Sequence, residues 1–158
     1  MDWQNLLFNT QGRIGASDFW KGVGVIILGN VLVNILPMIG GLLWLVLVWV
    51  GVAVYGKRLH DAGRSAFLHL IPWVANSIIF GIGVMMLGGV VLSAILSDGE
   101  VSPVAIIAAG GAGVSLMGFT QLIWLLYTLW VGFADGEAGE NAYGPAPVIE
   151  ASATVSED

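Results

Sequence analysis

The stretch KRLHDAGRS, residues 57–65, gathers three of the chain's five basic residues around a histidine and an aspartate. His60 beside Asp61 has the residue types of a general base with its carboxylate, or of part of a metal site. Adjacent residues on a turn rarely point at one another, however, and two ligands fall short of the roughly three or four that a bound metal needs. We therefore expect no catalytic residue, no metal, no cofactor and no enzymatic activity.

The chain around this stretch is strongly apolar. Of its 158 residues, 57% are hydrophobic and 10% are charged. A helix needs about 20 apolar residues to cross a bilayer, and three longer stretches carry no charged residue at all: 22–56, 65–97 and 101–134. An integral membrane protein is therefore predicted. The net charge of −6 gives no indication of a nucleic-acid partner, and the absence of cysteine excludes disulfides.

The basic residues predict how the chain crosses the membrane, because lysine and arginine near span ends stay on the cytoplasmic side. Arg13 and Lys21 precede the first apolar stretch and the KRLHDAGRS cations follow it, so this stretch is expected to cross twice. The residues PMIGG, 37–41, predict the outer turn between the two crossings. The acidic loop at 97–103 separates two further spans. Helices are expected at about 19–36, 42–57, 65–96 and 103–133.

The predicted fold is an all-α integral membrane four-helix bundle with both termini cytoplasmic. Residues 1–147 are expected to form its membrane domain, which begins with a short N-terminal interfacial segment. Residues 148–158 carry three acidic residues and no basic one, and they are predicted to be a disordered acidic tail. The last two spans are longer than one crossing needs. Tilt, protrusion into solvent, or a helix break at Gly88–Gly89 and at 110–113 would each accommodate the excess.

Glycine is frequent inside the spans, and the chain has 23 glycines in total. Small residues let helix backbones approach closely in lipid, so tight helix packing is one explanation. The other is a path lined by glycine, as in a small oligomeric transporter or channel. Ion-coupled transporters commonly carry an acidic residue at membrane depth. The lack of such a residue here favours the packing explanation.

Three motifs, GRIGASDFW (12–20), KRLHDAGRS (57–65) and GEAGENAYGPAP (136–147), together resemble the YhaH-like family of small bacterial inner-membrane proteins, domain of unknown function 805. The resemblance covers nearly the whole chain, and RLHDAGRS is its most specific part. It implies a multi-pass protein of the bacterial inner membrane, and it implies no established reaction. The chain departs from the family pattern at Ala16, Ala142 and Ala146, where charged residues are usual.

The predicted topology brings the first two motifs to the same membrane face, where their charges would form one cluster. Arginine suits phosphate because its planar fork binds in bidentate fashion, so such a cluster could hold an anionic lipid headgroup or a partner. The predicted binding residues are Arg13, Asp18, Lys21, Arg58, His60, Asp61, Arg64 and Tyr143. A purely structural connection explains the same stretch, with Gly63 in the turn and Ser65 capping the next helix.

We therefore expect a non-enzymatic component of the bacterial inner membrane whose cytoplasmic face binds membrane lipid, anionic phospholipid in particular, or a partner protein. The expected protein partner is a second copy or another membrane protein, and nucleic acid is not expected. The first alternative is a small oligomeric transporter or channel, and the second is an enzyme that acts on lipid. If the charges form one network, Asp61 is expected to pair with Arg58 or Arg64.

Overall fold

The structure, a computed structural model, describes residues 2–97 and 102–147. Over these ranges it is helical, with an isolated bridge between Asn141 and Gly144 and no β-strand, which confirms the all-α prediction. The helices are α1 (Trp3–Phe8), α2 (Ala16–Ile35), α3 (Pro37–Asp61), α4 (Leu70–Leu96) and α5 (Pro103–Phe133), with a 3-10 turn at Ala66–His69. The predicted acidic tail, 148–158, and most of the 97–103 loop lie outside the described residues.

Four helical segments are long and apolar enough to cross a membrane, which confirms the predicted number of spans. They are Ala16–Ile35, Met38–Asp61, Ala66–Leu96 and Pro103–Phe133. At 1.5 Å per residue, α2 is about 30 Å long and α5 about 46 Å, against a hydrocarbon core of about 30 Å. The chain thus has the length and composition of a multi-pass membrane protein. The bundle arrangement and the compartment of each terminus stay predictions.

The connection between α2 and α3 is a single residue, Leu36, and is shorter than we predicted. Pro37 is the first residue of α3, where the missing N–H costs nothing because no helical acceptor faces it. Gly40 lies inside the helix instead of breaking it. A Cβ at Gly40 would lie 2.5 Å from the Val33 carbonyl oxygen, so glycine is required there for the close approach of the two helices. The predicted PMIGG turn is therefore wrong.

Close packing of α2 on α3 also depends on glycine. A Cβ on Gly22 would lie 2.7 Å from a Val54 methyl carbon, and one on Gly29 would lie 2.5 Å from a Leu47 methyl carbon. The side chain of Val54 fills the space beside Gly22, and that of Leu47 fills the space beside Gly29. For these two positions, helix packing is the observed reason for glycine.

The described chain divides into two compact units. The first contains the residues up to His69 and those from Trp130 onwards. Its core is an apolar cluster in which the end of α5 packs on α2 and α3: Phe19, Ala53, Val54, Leu59 and Val131 are each at most 2% exposed. The ring of Phe19 contacts that of Tyr55 edge to face, with centroids 5.1 Å apart. This core fixes the helix ends around which the polar residues of the motifs gather.

The second unit consists of Leu70–Leu129, from α4 and most of α5. Both helices are continuous through Gly88–Gly89 and through residues 110–113, so the possible breaks at these positions do not occur. The helices approach closely where Gly83 faces Gly113: a Cβ on Gly83 would lie 3.5 Å from the Gly113 carbonyl oxygen. An edge-to-face pair of Trp73 and Trp124, with centroids 5.3 Å apart, lies in the same unit.

Candidate functional site

The KRLHDAGRS stretch is mostly helix and not a loop, because α3 continues to Asp61 and ends four residues later than predicted. Gly63 then adopts φ +66°, the left-handed conformation that we expected of the turn. The Gly63 N–H donates to the His60 carbonyl at 3.0 Å and the Arg64 N–H to the Leu59 carbonyl at 2.8 Å, which is a Schellman C-cap. Helix α3 is thereby stopped sharply, with its polar last turn held in place.

Asp61 lies at the centre of a buried ion cluster. Its Oδ1 accepts from Arg13 Nη2 at 3.0 Å and Nε at 3.1 Å, and its Oδ2 accepts from Arg58 Nη1 at 2.5 Å. The three side chains are only 1–5% exposed. Of the two predicted partners of Asp61, Arg58 is confirmed, and Arg13 takes the place we considered for Arg64. One carboxylate therefore serves two buried guanidinium groups.

Arg58 also caps the C-terminal end of α5. Its Nη2 donates to the carbonyl oxygens of Gly132 at 3.3 Å and Ala134 at 2.5 Å. The last carbonyls of a helix have no hydrogen-bond partner within the helix and carry partial negative charge. A cation at this end therefore supplies hydrogen-bond donors and also balances the charge. Its Nε is buried without a hydrogen-bond partner among the described residues. The side chain of Arg58 thus joins the last turn of α3 to the end of α5.

Arg13 binds the residues that follow α5, which we call the C-terminal segment, 134–147. Its Nη1 donates to the carbonyl oxygens of Gly139 at 2.6 Å and Gly144 at 3.2 Å, and its Nη2 donates to that of Glu137. A guanidinium has five N–H donors in a fixed plane, which suits this set of converging acceptors. A residue from before α2 therefore organises the chain beyond α5.

His60 contributes a second set of contacts to the C-terminal segment. Its ring is stacked on that of Tyr143, with centroids 3.8 Å apart and 5° between the planes. The His60 carbonyl accepts from Asn141 Nδ2 at 3.0 Å, and a ring nitrogen of His60 lies 3.1 Å from the Gly12 carbonyl oxygen. The predicted contact of Tyr143 with the cluster is made by its ring.

Two glycines make room for carboxylates in this region. A Cβ on Gly136 would lie 2.4 Å from Asp61 Oδ2, and one on Gly63 would lie 2.2 Å from a Glu137 carboxylate oxygen. The Glu137 N–H donates to the Asp61 carbonyl oxygen at 2.8 Å, which fixes the C-terminal segment against the turn. A side chain at Gly136 would collide with the buried Asp61 carboxylate, and a side chain at Gly63 would displace the exposed Glu137 carboxylate.

Lys57, which was not among the predicted site residues, is buried as deeply as the arginines. The residue is 1% exposed, and its Nζ donates to the carbonyl oxygens of Asn5 and Leu6, at 2.9 Å for the latter. These carbonyls belong to the last turn of α1, so Lys57 caps α1 in the way that Arg58 caps α5. Consecutive residues on a helix point about 100° apart. This offset was the signal that Lys57 and Arg58 serve different neighbours.

Three of the predicted site residues lie at the surface and outside the ion cluster. Asp18 pairs with Lys21 at 3.0 Å, with 42–43% of each side chain exposed. The Arg64 guanidinium lies over the ring of Trp130, 4.7 Å from its centroid. Within the described residues, the structure therefore brings together Arg13, Arg58, His60, Asp61 and Tyr143, and it leaves Asp18, Lys21 and Arg64 apart from them.

We call the surface formed by Trp20, Lys21, Arg64, Trp130 and Phe133 the basic aromatic rim. The rings of Trp20 and Phe133 are in contact, with centroids 5.6 Å apart. Phe133 is 73% exposed and Trp130 43% exposed. Exposed aromatic rings beside cations are typical of side chains at the headgroup level of a bilayer.

The arrangement offers binding and positioning chemistry. Among the described residues, no group of three or more His, Cys, Asp or Glu side chains is placed to hold a metal ion. The donors of Arg13 and Lys57, and the Nη donors of Arg58, face acceptors of the chain itself. The cations that face outward are those of the rim, Lys21 and Arg64.

The comparisons with known proteins agree with the motifs. Residues 7–145 match the family described as "Protein of unknown function (DUF805)". The chain is similar to the "Uncharacterized protein YiiR" of Escherichia coli strain K12, with 40% identity over 81 residues, covering 45% of this chain and 56% of that protein. The protein of the same name from Escherichia coli O157:H7 matches equally. The chain thus spans little more than half the length of these relatives.

No solved structure matches the chain. The family match extends from α1, across all four apolar helices, to the residue after the Asn141–Gly144 turn, and so includes the whole ion cluster and the rim. On this match, the chain belongs to the DUF805 family of proteins of unknown function.

Proposed function

We propose that the protein is a non-enzymatic component of the bacterial inner membrane that binds anionic phospholipid headgroups at its basic aromatic rim. The observation that carries this proposal is the position of Arg64, exposed at the surface with its guanidinium over the Trp130 ring. Lys21 follows Trp20 in α2 and adds a second exposed cation, which is paired with Asp18. The rim, rather than the buried arginines expected from the sequence, is the ligand-facing part of the motifs.

The cytoplasmic orientation of the rim is part of the proposal. Arg13 reaches Asp61 and the C-terminal segment, and the Ile14 N–H donates to the Lys57 carbonyl oxygen at 3.4 Å. The cations on either side of the α2–α3 hairpin therefore lie at one end of it. Basic residues at one end of a hairpin favour the cytoplasm for that end. The same contacts support placing the C-terminal segment on that side.

The buried ion cluster gives the rim its rigidity. Trp130 and Phe133 belong to the last turn of α5, and Arg58 holds the carbonyl oxygens of Gly132 and Ala134 next to them. A surface that is already ordered loses less conformational entropy when it binds a headgroup. Each basic group near an anionic leaflet contributes roughly 1 kcal/mol to binding.

The test is lipid binding by the full-length protein, extracted in mild detergent and measured by native mass spectrometry. Phosphatidylglycerol is titrated as the anionic lipid and phosphatidylethanolamine as the zwitterionic comparison. Arg64→Gln is expected to lower the affinity for the anionic lipid about fivefold, which corresponds to roughly 1 kcal/mol. Arg64→Lys keeps the charge and is the matched control. Equal affinity of wild type and Arg64→Gln for phosphatidylglycerol would refute the proposal.

A small transporter or channel is the alternative function, and it has a separate readout. The two amides in the outer half of α2 donate to carbonyls of their own helix, Asn30 to Ile26 at 2.9 Å and Asn34 to Asn30 at 2.7 Å. Solute flux into proteoliposomes that contain the protein, absent from empty vesicles, would favour this alternative.

A further inference from the structure

Two asparagines lie on the exposed surface of α2 inside an otherwise apolar span. Asn30 and Asn34 are four residues apart, so they lie one above the other on the same side of the helix. Asn30 is nine residues beyond Lys21, about 14 Å along the helix, and five before the end of α2, about 8 Å. This position is within the hydrocarbon if Lys21 lies at the headgroup level.

The hydrogen-bonding capacity of these amides is mostly unused. Each side chain has two N–H donors and a carbonyl oxygen with two lone pairs. Each donates once to a carbonyl of its own helix, at 2.9 Å for Asn30 and 2.7 Å for Asn34. Neither Oδ1 accepts a hydrogen bond from the residues that the structure describes. Lipid tails offer no donor, so an exposed amide oxygen at this depth favours a polar partner from another helix.

The neighbouring side chains complete a face suited to helix pairing. Ile27, Asn30, Val31 and Asn34 follow the spacing i, i+3, i+4, i+7, which forms one stripe along a helix. Ile27 is 59% and Val31 52% exposed. Helix α3 covers a different side of α2, where Gly22 and Gly29 face it. The stripe is thus apolar except for its two asparagines. In paired helices, a buried asparagine in an otherwise apolar interface sets the register of the two helices.

We propose that this stripe is the interface of a homodimer in which α2 of one copy packs against α2 of another. Copies inserted with the same topology are related by a two-fold axis along the membrane normal, so their α2 helices run parallel. Asn30 then meets the partner's Asn30 at the same depth, and the amide of each satisfies the acceptor of the other. A second copy is therefore the occupant whose polar groups lie at the required height. This proposal does not depend on lipid binding at the rim.

Disulfide trapping in native membranes tests this interface directly, because the chain has no cysteine of its own. Val31→Cys is expected to form a covalent dimer on mild oxidation, since a disulfide requires Cα atoms about 4.4–6.8 Å apart. The matched control is Leu32→Cys, at almost the same depth and 51% exposed, but about 100° further round the helix. Leu32→Cys is expected to stay monomeric.

A double asparagine variant and the mass of the cross-linked product test whether a second copy of this chain occupies the stripe. Asn30→Leu combined with Asn34→Leu in the Val31→Cys background is expected to reduce the trapped dimer at least tenfold, with the circular dichroism of the purified protein unchanged. Equal trapping by Val31→Cys and Leu32→Cys, no trapping by either, or a cross-linked product with the mass of a different protein would each overturn the proposal. An undiminished dimer in the double asparagine variant would overturn it as well.

Discussion

The imidazole ring of His60 lies parallel to the phenol ring of Tyr143, with centroids 3.8 Å apart and 5° between the planes. His60 is in the last turn of α3, whereas Tyr143 is in the C-terminal segment, beyond two further helices of the chain. The stack covers one side of the histidine, and a ring nitrogen lies 3.1 Å from the Gly12 carbonyl oxygen. The most chemically versatile side chain of the motif is thus occupied in joining three separate parts of the chain.

Asp61→Asn is expected to destabilise the protein strongly. The change removes the only carboxylate that the described residues place between Arg13 and Arg58, and it leaves two buried guanidinium groups without a counter-charge. Removing one partner of a buried ion pair typically costs about 3–5 kcal/mol. Thermal unfolding in detergent measures the loss. Asp18→Asn is the control, because its pair with Lys21 is exposed and such pairs contribute about 0–1 kcal/mol.

The coupling between Asp61 and Arg58 is expected to appear in a double-mutant cycle. Asp61→Ala and Arg58→Ala each break the same 2.5 Å contact, so the double variant should lose less stability than the sum of the two single variants. An interaction energy of about 0.5–3 kcal/mol is expected for residues in one network. The comparison cycle pairs Asp61→Ala with Asp18→Ala, for which additivity is expected. Additive losses in the first cycle would contradict the network.

Gly136→Ala is expected to loosen the C-terminal segment. The new Cβ would lie 2.4 Å from Asp61 Oδ2, in a position that the buried carboxylate cannot leave without breaking its arginine contacts. We expect a loss of more than about 1 kcal/mol. Gly139→Ala is the matched control, since its Cβ would have no atom within 4 Å. Limited proteolysis of the C-terminal segment reports the difference, and equal cleavage of both variants would argue against the predicted collision.

Tyr143→Phe is expected to be as stable as the wild type, whereas Tyr143→Leu is expected to be less stable. The contact observed is made by the ring, and phenylalanine presents the same ring to His60. An aromatic pair is worth about 0.5–1.5 kcal/mol beyond its buried area. Unfolding temperatures of the two variants in the same detergent measure this contribution. If Tyr143→Phe lost as much as Tyr143→Leu, the hydroxyl and not the stack would be the important group.

The spans were predictable from the sequence because long stretches without charge can satisfy their backbone groups in lipid only as helices. The ends of α3 were not. The sequence predicts that Gly40 breaks the helix, whereas in the structure its lack of a side chain permits the close approach to the Val33 carbonyl oxygen. In membrane proteins, glycine can permit close helix packing as well as end a helix, and the sequence alone does not distinguish the two uses.

The candidate site was predictable in part. The shared location of Arg13, Arg58 and Asp61 followed from the topology, and the structure brings their side chains together. The use of these cations did not follow, because most of their partners are backbone carbonyls. Every residue carries such a carbonyl, so the sequence gives no sign of which ones a guanidinium will reach. From the sequence, the expected partners of these arginines are therefore Asp61 and an anionic headgroup, because negatively charged groups bind guanidinium strongly.

The hydrogen bonds from Arg13 to the carbonyls of Glu137, Gly139 and Gly144 have a consequence for how the protein is made. Arg13 emerges from the ribosome first, and its acceptors emerge only after every apolar helix has been synthesised. Until then the Arg13 guanidinium lacks the three carbonyl oxygens that accept from it in the folded protein. Folding of this region thus depends on synthesis of the residues beyond α5, because a chain that stops before residue 137 would lack these acceptors of Arg13.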